Sequence, residues 1–247
     1  GKKILMLVGS LLVVSALGGC SNSKVISLGA GESKNELVKI GITQIAEHPA
    51  LDSAREGFIA ALKDKNYKDG VIIKIDFENA QNDMPTTQTI AEKFVNDDVN
   101  LIAAISTPSA QAAFNATQKA NKNIPIVITA VTDPVAAGLA KSLDNSGTNV
   151  TGTSDAVPIE RQFELIKKLA PKTKNIGIIY NTSEINSELQ IEAAKNASKS
   201  FNFNIVTSGI TSSNEIPQAL DSILNKIDIL YIPTDNMVAS AVSTITK

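Results

Sequence analysis

Residues 39–58, KIGITQIAEHPALDSAREGF, decide the fold. The β-branched run at residues 38–42 predicts a strand, and residues 43–49 follow as a mostly polar stretch without periodicity. Leu51, Phe58 and Leu62 then recur at near-helical spacing. Strand, loop and helix in this order form the opening unit of an open α/β sheet, in which ligands bind beyond the carboxyl ends of the strands. We therefore predict that residues 43–52 form the first loop of a binding site.

The rest of the chain continues this alternation in two series. Further strands are predicted at residues 71–77, 101–105, 124–130, 175–180, 204–207 and 227–232, and helices at residues 50–65, 85–96, 110–120, 159–169, 187–202, 216–225 and 237–245. A Gly- and Thr-rich extended run at residues 150–155 separates the two series. The pattern predicts an α/β protein of two lobes, residues 37–150 and 151–247, each built on a doubly wound parallel sheet, with a hinge near residues 150–155.

The first 20 residues form a separate segment. Lys2 and Lys3 precede the apolar run 4–17, which is too short for a comfortable membrane span. Residues 17–20, LGGC, then resemble a lipobox, which predicts a lipoprotein signal peptide at residues 1–20, lipid attachment at Cys20 and a flexible tether at residues 21–36. A plain secretory signal that happens to end in a cysteine is the alternative. Cys20 is the only cysteine, which excludes an intrachain disulfide and a cysteine-based metal site.

The charge of the chain bears on which classes of partner it can bind. The net charge of the 247-residue chain is −2, and its lysines are scattered along the sequence. A weakly acidic surface of this kind is a poor binder of nucleic acid, so we predict no nucleic-acid partner. We expect a monomer anchored to the outer face of the cell membrane through its lipid, on the extracellular or periplasmic side.

Several motifs resemble one known family. The opening motif, with Gln44, the run EHPALD at residues 47–52 and the pair Gly57-Phe58, is similar to that of the ABC-transporter substrate-binding family that includes the tryptophan/tyrosine-type binding proteins. Similar signatures follow at residues 107–111, 131–134, 149–155, 180–187 and 233–236. The resemblance implies a type I periplasmic-binding-protein-like fold, no enzymatic activity, no cofactor and a permease as partner. It also implies a small ligand, which is a free amino acid, aromatic in the best-known branch, or a related small amine or amide. Members of that family continue for several more strands and helices, so we expect the C-terminal portion of the second lobe to be truncated here.

Polar clusters at the carboxyl ends of the predicted strands, together with the signatures above, give the candidate ligand-binding residues. They are Thr43, Gln44, Thr107, Ser109, Ala110, Thr132, Asp133, Ser154, Asp155, Asn181, Ser183, Ser187, Thr234, Asp235 and Asn236. For Ser109, Asp133 and Ser183, a role as a helix N-cap is an equally good interpretation.

Charge chemistry refines these roles. The only arginines, Arg55 and Arg161, lie on predicted helices away from the loop tips, so a ligand carboxylate would be held by N–H groups and hydroxyls at helix starts, near residues 107–111 and 183–187. Asp155 and Asp235 offer negative charge to an ammonium group. Tyr180 is the aromatic residue best placed to approach the cleft.

His48, the only histidine, is interpreted as a residue that shapes the first loop. Its neighbours Asp52 and Ser53 could complete a catalytic group, but all three lie within one loop–helix junction and lack a separate orienting residue. A closed metal site would need about four suitable ligands, so we predict no metal and no catalytic residue.

Two other classes of function compete with an importer component. An exported receptor that presents the same fold to a sensor kinase or a quorum-type signalling system would show the same sequence features. An enzyme on a similar scaffold is disfavoured, because the sequence contains no nucleophile elbow, phosphate-binding glycine loop or metal motif.

Overall fold

The computed structural model describes residues 36–246, where strands and helices alternate along the chain. The strands are β1 (Val38–Gln44), β2 (Ile73–Asn79), β3 (Leu101–Ile105), β4 (Ile126–Val131), β5 (Val150–Ser154), β6 (Asn175–Asn181), β7 (Asn204–Ile210) and β8 (Ile229–Leu230). The helices are α1 (Pro49–Asp64), α2 (Met84–Asn96), α3 (Thr107–Lys119), α4 (Ile159–Leu169), α5 (Ile185–Phe201), α6 (Ile216–Leu224), α7 (Asn236–Ser240) and α8 (Val242–Ile245). A 3₁₀ turn at Ser213–Glu215 precedes α6.

The first sheet has the order β2-β1-β3-β4-β5, and every neighbouring pair is parallel. This is a doubly wound order, whose topological switch point lies at β1 and β3. The central strand β3 is continuously apolar, as expected for a parallel sheet covered by helices on both faces. Ile42, Ile102 and Ile126 are fully buried in its core.

Close packing of α2 against β1 depends on a glycine. A Cβ atom on Gly41 would lie 2.6 Å from the ring of Phe94, which is fully buried. The start of α2 is fixed by Asp83, whose side chain accepts a hydrogen bond from the backbone N–H of Thr86 at 2.7 Å. Sequence and packing therefore agree on the position of this helix.

Strand β5 belongs to the first sheet, although the sequence placed residues 151–154 in the second lobe. It pairs with β4, and Gly152 lies opposite Ile128 in the register. Gly152 has φ +147°, and a Cβ atom there would lie 2.1 Å from the carbonyl oxygen of Ile128, so only glycine fits. We call residues 36–155 the first lobe and residues 156–246 the second lobe.

The second sheet has the order β7-β6-β8 and is also parallel. One of its two apolar clusters is centred on Phe163, which makes edge-to-face contacts with Phe201, Phe203 and Tyr231 at centroid distances of 5.4 to 6.1 Å. Strand β8 has two residues instead of the predicted six, because only Ile229 and Leu230 pair with β6.

The structure confirms the predicted two-lobed α/β fold with parallel sheets. Helix α3 begins at Thr107, three residues before the predicted start, because Pro108 is tolerated in a first helical turn. The predicted C-terminal helix divides at Ala241 into α7 and α8. None of the helices within residues 36–246 is both long enough and apolar enough to span a membrane. The predicted signal segment, Cys20 and residues 21–35 of the predicted tether lie outside the described residues.

Candidate functional site

A cavity of about 450 Å³ lies between the two lobes, at the carboxyl ends of the strands of both sheets. Its first-lobe wall comes from the start of α1 and from the ends of β4 and β5, and its second-lobe wall comes from the start of α5 and the segment that leads into α7. The lining residues are His48, Ala50, Leu51, Ala54, Thr129, Ala130, Thr132, Asp155, Asn186, Pro233, Thr234, Asp235, Asn236 and Ala239. This volume is within the range of small-molecule sites.

A hydrogen-bond network beneath the first-lobe wall fixes the shape of this wall before a ligand binds. The side-chain amide of Gln44 donates to the carbonyl of Ala46 at 2.6 Å and to Asp52 Oδ1 at 2.9 Å. Arg55 donates to Gln44 Oε1 at 3.1 Å, and its guanidinium also lies 4.3 Å from the ring centroid of Phe77. Because Gln44 is fully buried and uses both ends of its amide, it shapes the loop and is not free to contact a ligand.

The second-lobe wall is organised by one buried carboxylate. Glu184, only 1% exposed, accepts hydrogen bonds from the side-chain amides of Asn181, Asn186 and Asn236 and from the backbone N–H groups of Asn236 and Met237. These bonds fix the orientation of Asn186 and Asn236, the two amides that line the cavity.

A second buried carboxylate, Asp235, is also used by the fold. It caps α7 by accepting from the backbone N–H of Val238 at 2.8 Å, and it accepts from Ser187 Oγ at 2.7 Å and from the backbone N–H of Asn181. Burial raises the pKa of both Asp235 and Glu184, and the negative charge of Asp235 raises the pKa of Glu184 further. Both oxygens of Asp235 are therefore occupied, and the ammonium role predicted for it does not fit its contacts.

Hydrogen bonds connect the two lobes at the rim of the cavity. The hydroxyls of Thr132 and Thr234 lie 3.1 Å apart. Gln190 donates to the Thr234 oxygen, so the proton of Thr234 is free to bond to Thr132. Asn82 also donates from the first lobe to Ser240 Oγ in the second lobe at 3.0 Å.

Three buried polar atoms that belong to cavity-lining side chains have no hydrogen-bond partner within residues 36–246. They are His48 Nε2, Asp155 Oδ1 and Asn186 Oδ1. The last two are acceptors, and Asn186 Nδ2 is already engaged with Glu184 and the carbonyl of Thr234. Burial raises the pKa of Asp155 and lowers that of His48, the latter opposed in part by a hydrogen bond with Asn236. Such a set of atoms is suited to a ligand that donates hydrogen bonds, above all an ammonium group.

The predicted site residues separate into two groups. Thr132, Asp155, Thr234, Asp235 and Asn236 line the cavity. The other ten do not line it: Thr43, Gln44, Thr107, Ser109, Ala110, Asp133, Ser154, Asn181, Ser183 and Ser187. Thr43 and the first residues of α3 are buried, and Ser154 donates to the carbonyl of Thr132 at 2.7 Å. Asn181 and Ser187 support the buried carboxylates, as described above.

The predicted N-caps differ from the observed ones. Ser109 lies inside the first turn of α3, whose N-cap is Ser106, and Ser183 precedes Glu184, the N-cap of α5. Asp133 accepts from the N–H groups of two following residues and so caps a turn, not one of the helices. Arg55 lies on α1 as expected, although it reaches the end of β1 through Gln44. Neither arginine lines the cavity.

Nine lining residues were absent from the predicted set, of which His48, Thr129 and Asn186 are polar. His48 was assigned to loop structure, whereas its ring lines the cavity. Asn186 lies in the helix start proposed for carboxylate binding, which was the available signal. The apolar residues of α1 could not be distinguished from core positions by spacing alone.

Other features do not compete with this cavity. An open groove of about 900 Å³ lies around Lys172, at the amino ends of β6 and β7, away from the ends where such sheets bind ligands. Within residues 36–246, no group of three or more His, Cys, Asp or Glu side chains is placed to hold a metal ion.

Comparison with known proteins gives one consistent result. The family model described as "ABC transporter substrate binding protein" matches residues 39–247. The chain is 54% identical over 250 residues to a tyrosine-binding protein of Clostridioides difficile strain R20291, covering 100% of this chain and 71% of that protein. An ABC domain of Streptococcus pneumoniae solved in complex with L-Trp is 37% identical, with a TM-score of 0.80 over 85% of this chain and 70% of that one. A ligand-free, open substrate-binding protein with adhesive properties from Clostridium difficile is 58% identical, with a TM-score of 0.58 and the same coverage.

Proposed function

This chain belongs to the ABC transporter substrate-binding protein family, and on that premise we propose that it captures a free amino acid, aromatic in its side chain, and delivers it to an importer permease. The proposal needs no catalytic step. The ligand would occupy the cavity between the lobes, and its contacts to both walls would stabilise the closed arrangement that docks on the permease.

One observation carries the proposal. Asp155 Oδ1 in the first lobe and Asn186 Oδ1 in the second lobe are buried acceptors without partners, and both side chains line the same cavity. An unpaired buried acceptor destabilises the protein, and a single ammonium group can donate to both atoms. The α-ammonium of an amino acid would therefore bridge the lobes.

The remaining parts of an amino acid also find partners. The first N–H groups of a helix have no intrahelical acceptor, so the start of α5 at Asn186 can bind the α-carboxylate next to the ammonium site. Small and apolar side chains line the rest of the cavity, including Ala50, Ala54, Ala130 and Ala239. These small side chains leave room in the cavity for the aromatic ring of the ligand. A relative named for tyrosine and a similar structure that contains L-Trp support an aromatic ligand.

The arrangement of the lobes supports binding by closure. The 58% identical open, ligand-free structure superposes less well than the 37% identical L-Trp complex, with TM-scores of 0.58 and 0.80. Structural similarity therefore does not follow sequence identity, and the arrangement of the two lobes in this chain is similar to that in the L-Trp complex. The rim hydrogen bonds Thr132–Thr234 and Asn82–Ser240 would form on closure.

Placement at the membrane belongs to the same proposal. A signal segment that ends at Cys20 would export the chain, and a lipid on the Cys20 thiol would hold it at the outer face of the membrane. A tether of about 15 residues would then allow the binding lobes to reach a permease in the same membrane.

Isothermal titration calorimetry on the full chain without its signal segment tests the ligand class. We expect L-tyrosine, L-tryptophan or L-phenylalanine to bind. We also expect 3-(4-hydroxyphenyl)propionate, which lacks the ammonium group, and tyramine, which lacks the carboxylate, to bind at least ~10-fold more weakly than L-tyrosine. No binding of any of the three amino acids would refute the proposal. Equal affinity for L-tyrosine and the propionate would refute the role of the ammonium group.

A further inference from the structure

His48 lies where the first lobe meets the second. It is the only histidine in the 247 residues and directly precedes α1 as its N-cap residue, yet its side chain makes no capping hydrogen bond. Instead the ring lines the cavity, and its Nε2 atom is buried without a partner within the described part of the chain. A buried polar atom without a partner that faces a ligand cavity is available to the ligand.

The charge state of His48 bears on what its free nitrogen can do. Burial lowers the pKa of His48, which favours the neutral imidazole, in which one ring nitrogen carries the proton and the other a lone pair. In the tautomer protonated at Nδ1, the unpartnered Nε2 is a hydrogen-bond acceptor.

The surroundings of His48 indicate which part of a ligand it meets. Ala50, Leu51 and Ala54, from the same helix start, form the apolar part of the wall beside it. The acceptors for an ammonium group, Asp155 and Asn186, belong to other elements. An aromatic ring of a ligand that packs on the α1 wall would therefore lie beside His48.

We propose that His48 is a specificity-determining residue whose Nε2 accepts a hydrogen bond from the phenol O–H or indole N–H of the bound amino acid. This inference rests on the proposed function. It predicts discrimination against phenylalanine, whose ring has no polar hydrogen and would leave Nε2 unpaired. Sites built to bond a polar hydrogen reject the analogue that lacks it.

Calorimetry with L-tyrosine, L-tryptophan and L-phenylalanine tests the inference on the full chain without its signal segment. The wild type should bind L-tyrosine, L-tryptophan or both ~10-fold more tightly than L-phenylalanine, and His48→Leu should reduce this preference to within ~2-fold. His48→Gln, which keeps an acceptor, should retain part of the preference. Asn196→Leu, a polar-to-apolar change on the exposed face of α5 outside the cavity, should keep the wild-type ratio.

A second measurement separates ligand contact from a structural role. In a protein without an affinity tag, the single imidazole gives one set of ¹⁵N signals in a long-range ¹H–¹⁵N correlation spectrum. The amino acid that His48 prefers should shift the Nε2 signal, and L-phenylalanine should shift it much less. Comparing the shifts caused by L-tyrosine and by L-tryptophan shows whether Nε2 bonds to a phenol or to an indole.

The outcomes distinguish the two proposals. An unchanged preference in His48→Leu, or a wild-type protein that binds all three amino acids equally, would overturn the role of His48 and leave the proposed function intact. A protein that binds none of the three would refute the proposed function, and this inference with it.

Discussion

Replacing Asp155 by asparagine removes one negative charge from the cavity and changes the shape of the side chain very little. Asp155 Oδ1 is buried and unpaired within the described residues, so it is free to accept a hydrogen bond from a ligand ammonium. A charge-assisted hydrogen bond contributes ~1.5–3 kcal/mol, which corresponds to ~10- to 150-fold in Kd. Because the Asp155 side chain is only partly buried, we expect the low end, a loss of ~10- to 30-fold, with the free energy of unfolding unchanged or slightly increased.

The same residue predicts how affinity depends on pH. Burial raises the pKa of Asp155 in the free protein, and a bound ammonium beside it would lower that pKa. The protein should therefore bind with its full affinity at pH values above the raised pKa of the Asp155 carboxyl in the free protein. The affinity should fall as pH drops through that value, by up to tenfold per pH unit, until the carboxyl is protonated in the complex as well. Asp155→Asn has no carboxyl to protonate at this position, so its weaker affinity should vary much less over the same range.

Calorimetry with L-tyrosine between pH 4 and 7.5 measures both effects. Asp133→Asn is the matched control, because it makes the same charge change at an exposed residue that does not line the cavity. We expect the control to keep wild-type affinity. If Asp155→Asn bound as tightly as the control, or if its pH profile matched that of the wild type, the ammonium site would not be at Asp155.

Three further predictions concern packing, the buried carboxylates and anchoring. Gly152→Ala should lower Tm by ~5–15 °C, because a Cβ atom 2.1 Å from the Ile128 carbonyl oxygen would displace β5. The control Gly57→Ala, at an exposed position of α1, should not lower Tm. Equal melting temperatures of the two variants would contradict the packing argument. Asp235→Ala should lower the free energy of unfolding, measured in urea, by ~3 kcal/mol, because it leaves buried donors unpaired. A change below ~1 kcal/mol would show that other groups accept hydrogen bonds from these donors. Cys20→Ala should abolish incorporation of labelled fatty acid and release the protein from membranes, and continued lipid labelling would place the anchor elsewhere.

The fold could be predicted from the sequence because its signals are local. A continuous apolar run such as residues 101–105 can be buried only in a covered parallel sheet, and that strand was predicted to the residue. The bounds of α4 were equally accurate, since its apolar period is regular. Errors fell where tertiary contacts decide the local structure. Strand β5 joined the first sheet through pairing with β4, and β8 is short because only two of its residues pair with β6.

The site was harder to predict because position at a strand end does not tell which way a side chain points. Gln44 and Asp235 lie at the predicted ends, but their polar atoms are used by Arg55 and by Ser187. Residues at one edge of a sheet share a neighbourhood, and only the packing of the helices decides which of them face the cavity. His48 shows the reverse case. Its type and position fit a loop residue, and only the approach of the second lobe makes it part of the wall.

The two walls of the cavity differ in how freely they could change during evolution. On the second-lobe side, Asn186 and Asn236 are both held by Glu184, so replacing either amide would leave a buried carboxylate short of donors. On the first-lobe side, Ala50 and Ala54 are small and carry no polar contacts to lose. Divergence toward new ligands should therefore accumulate along α1, while the amide-lined wall should change more slowly.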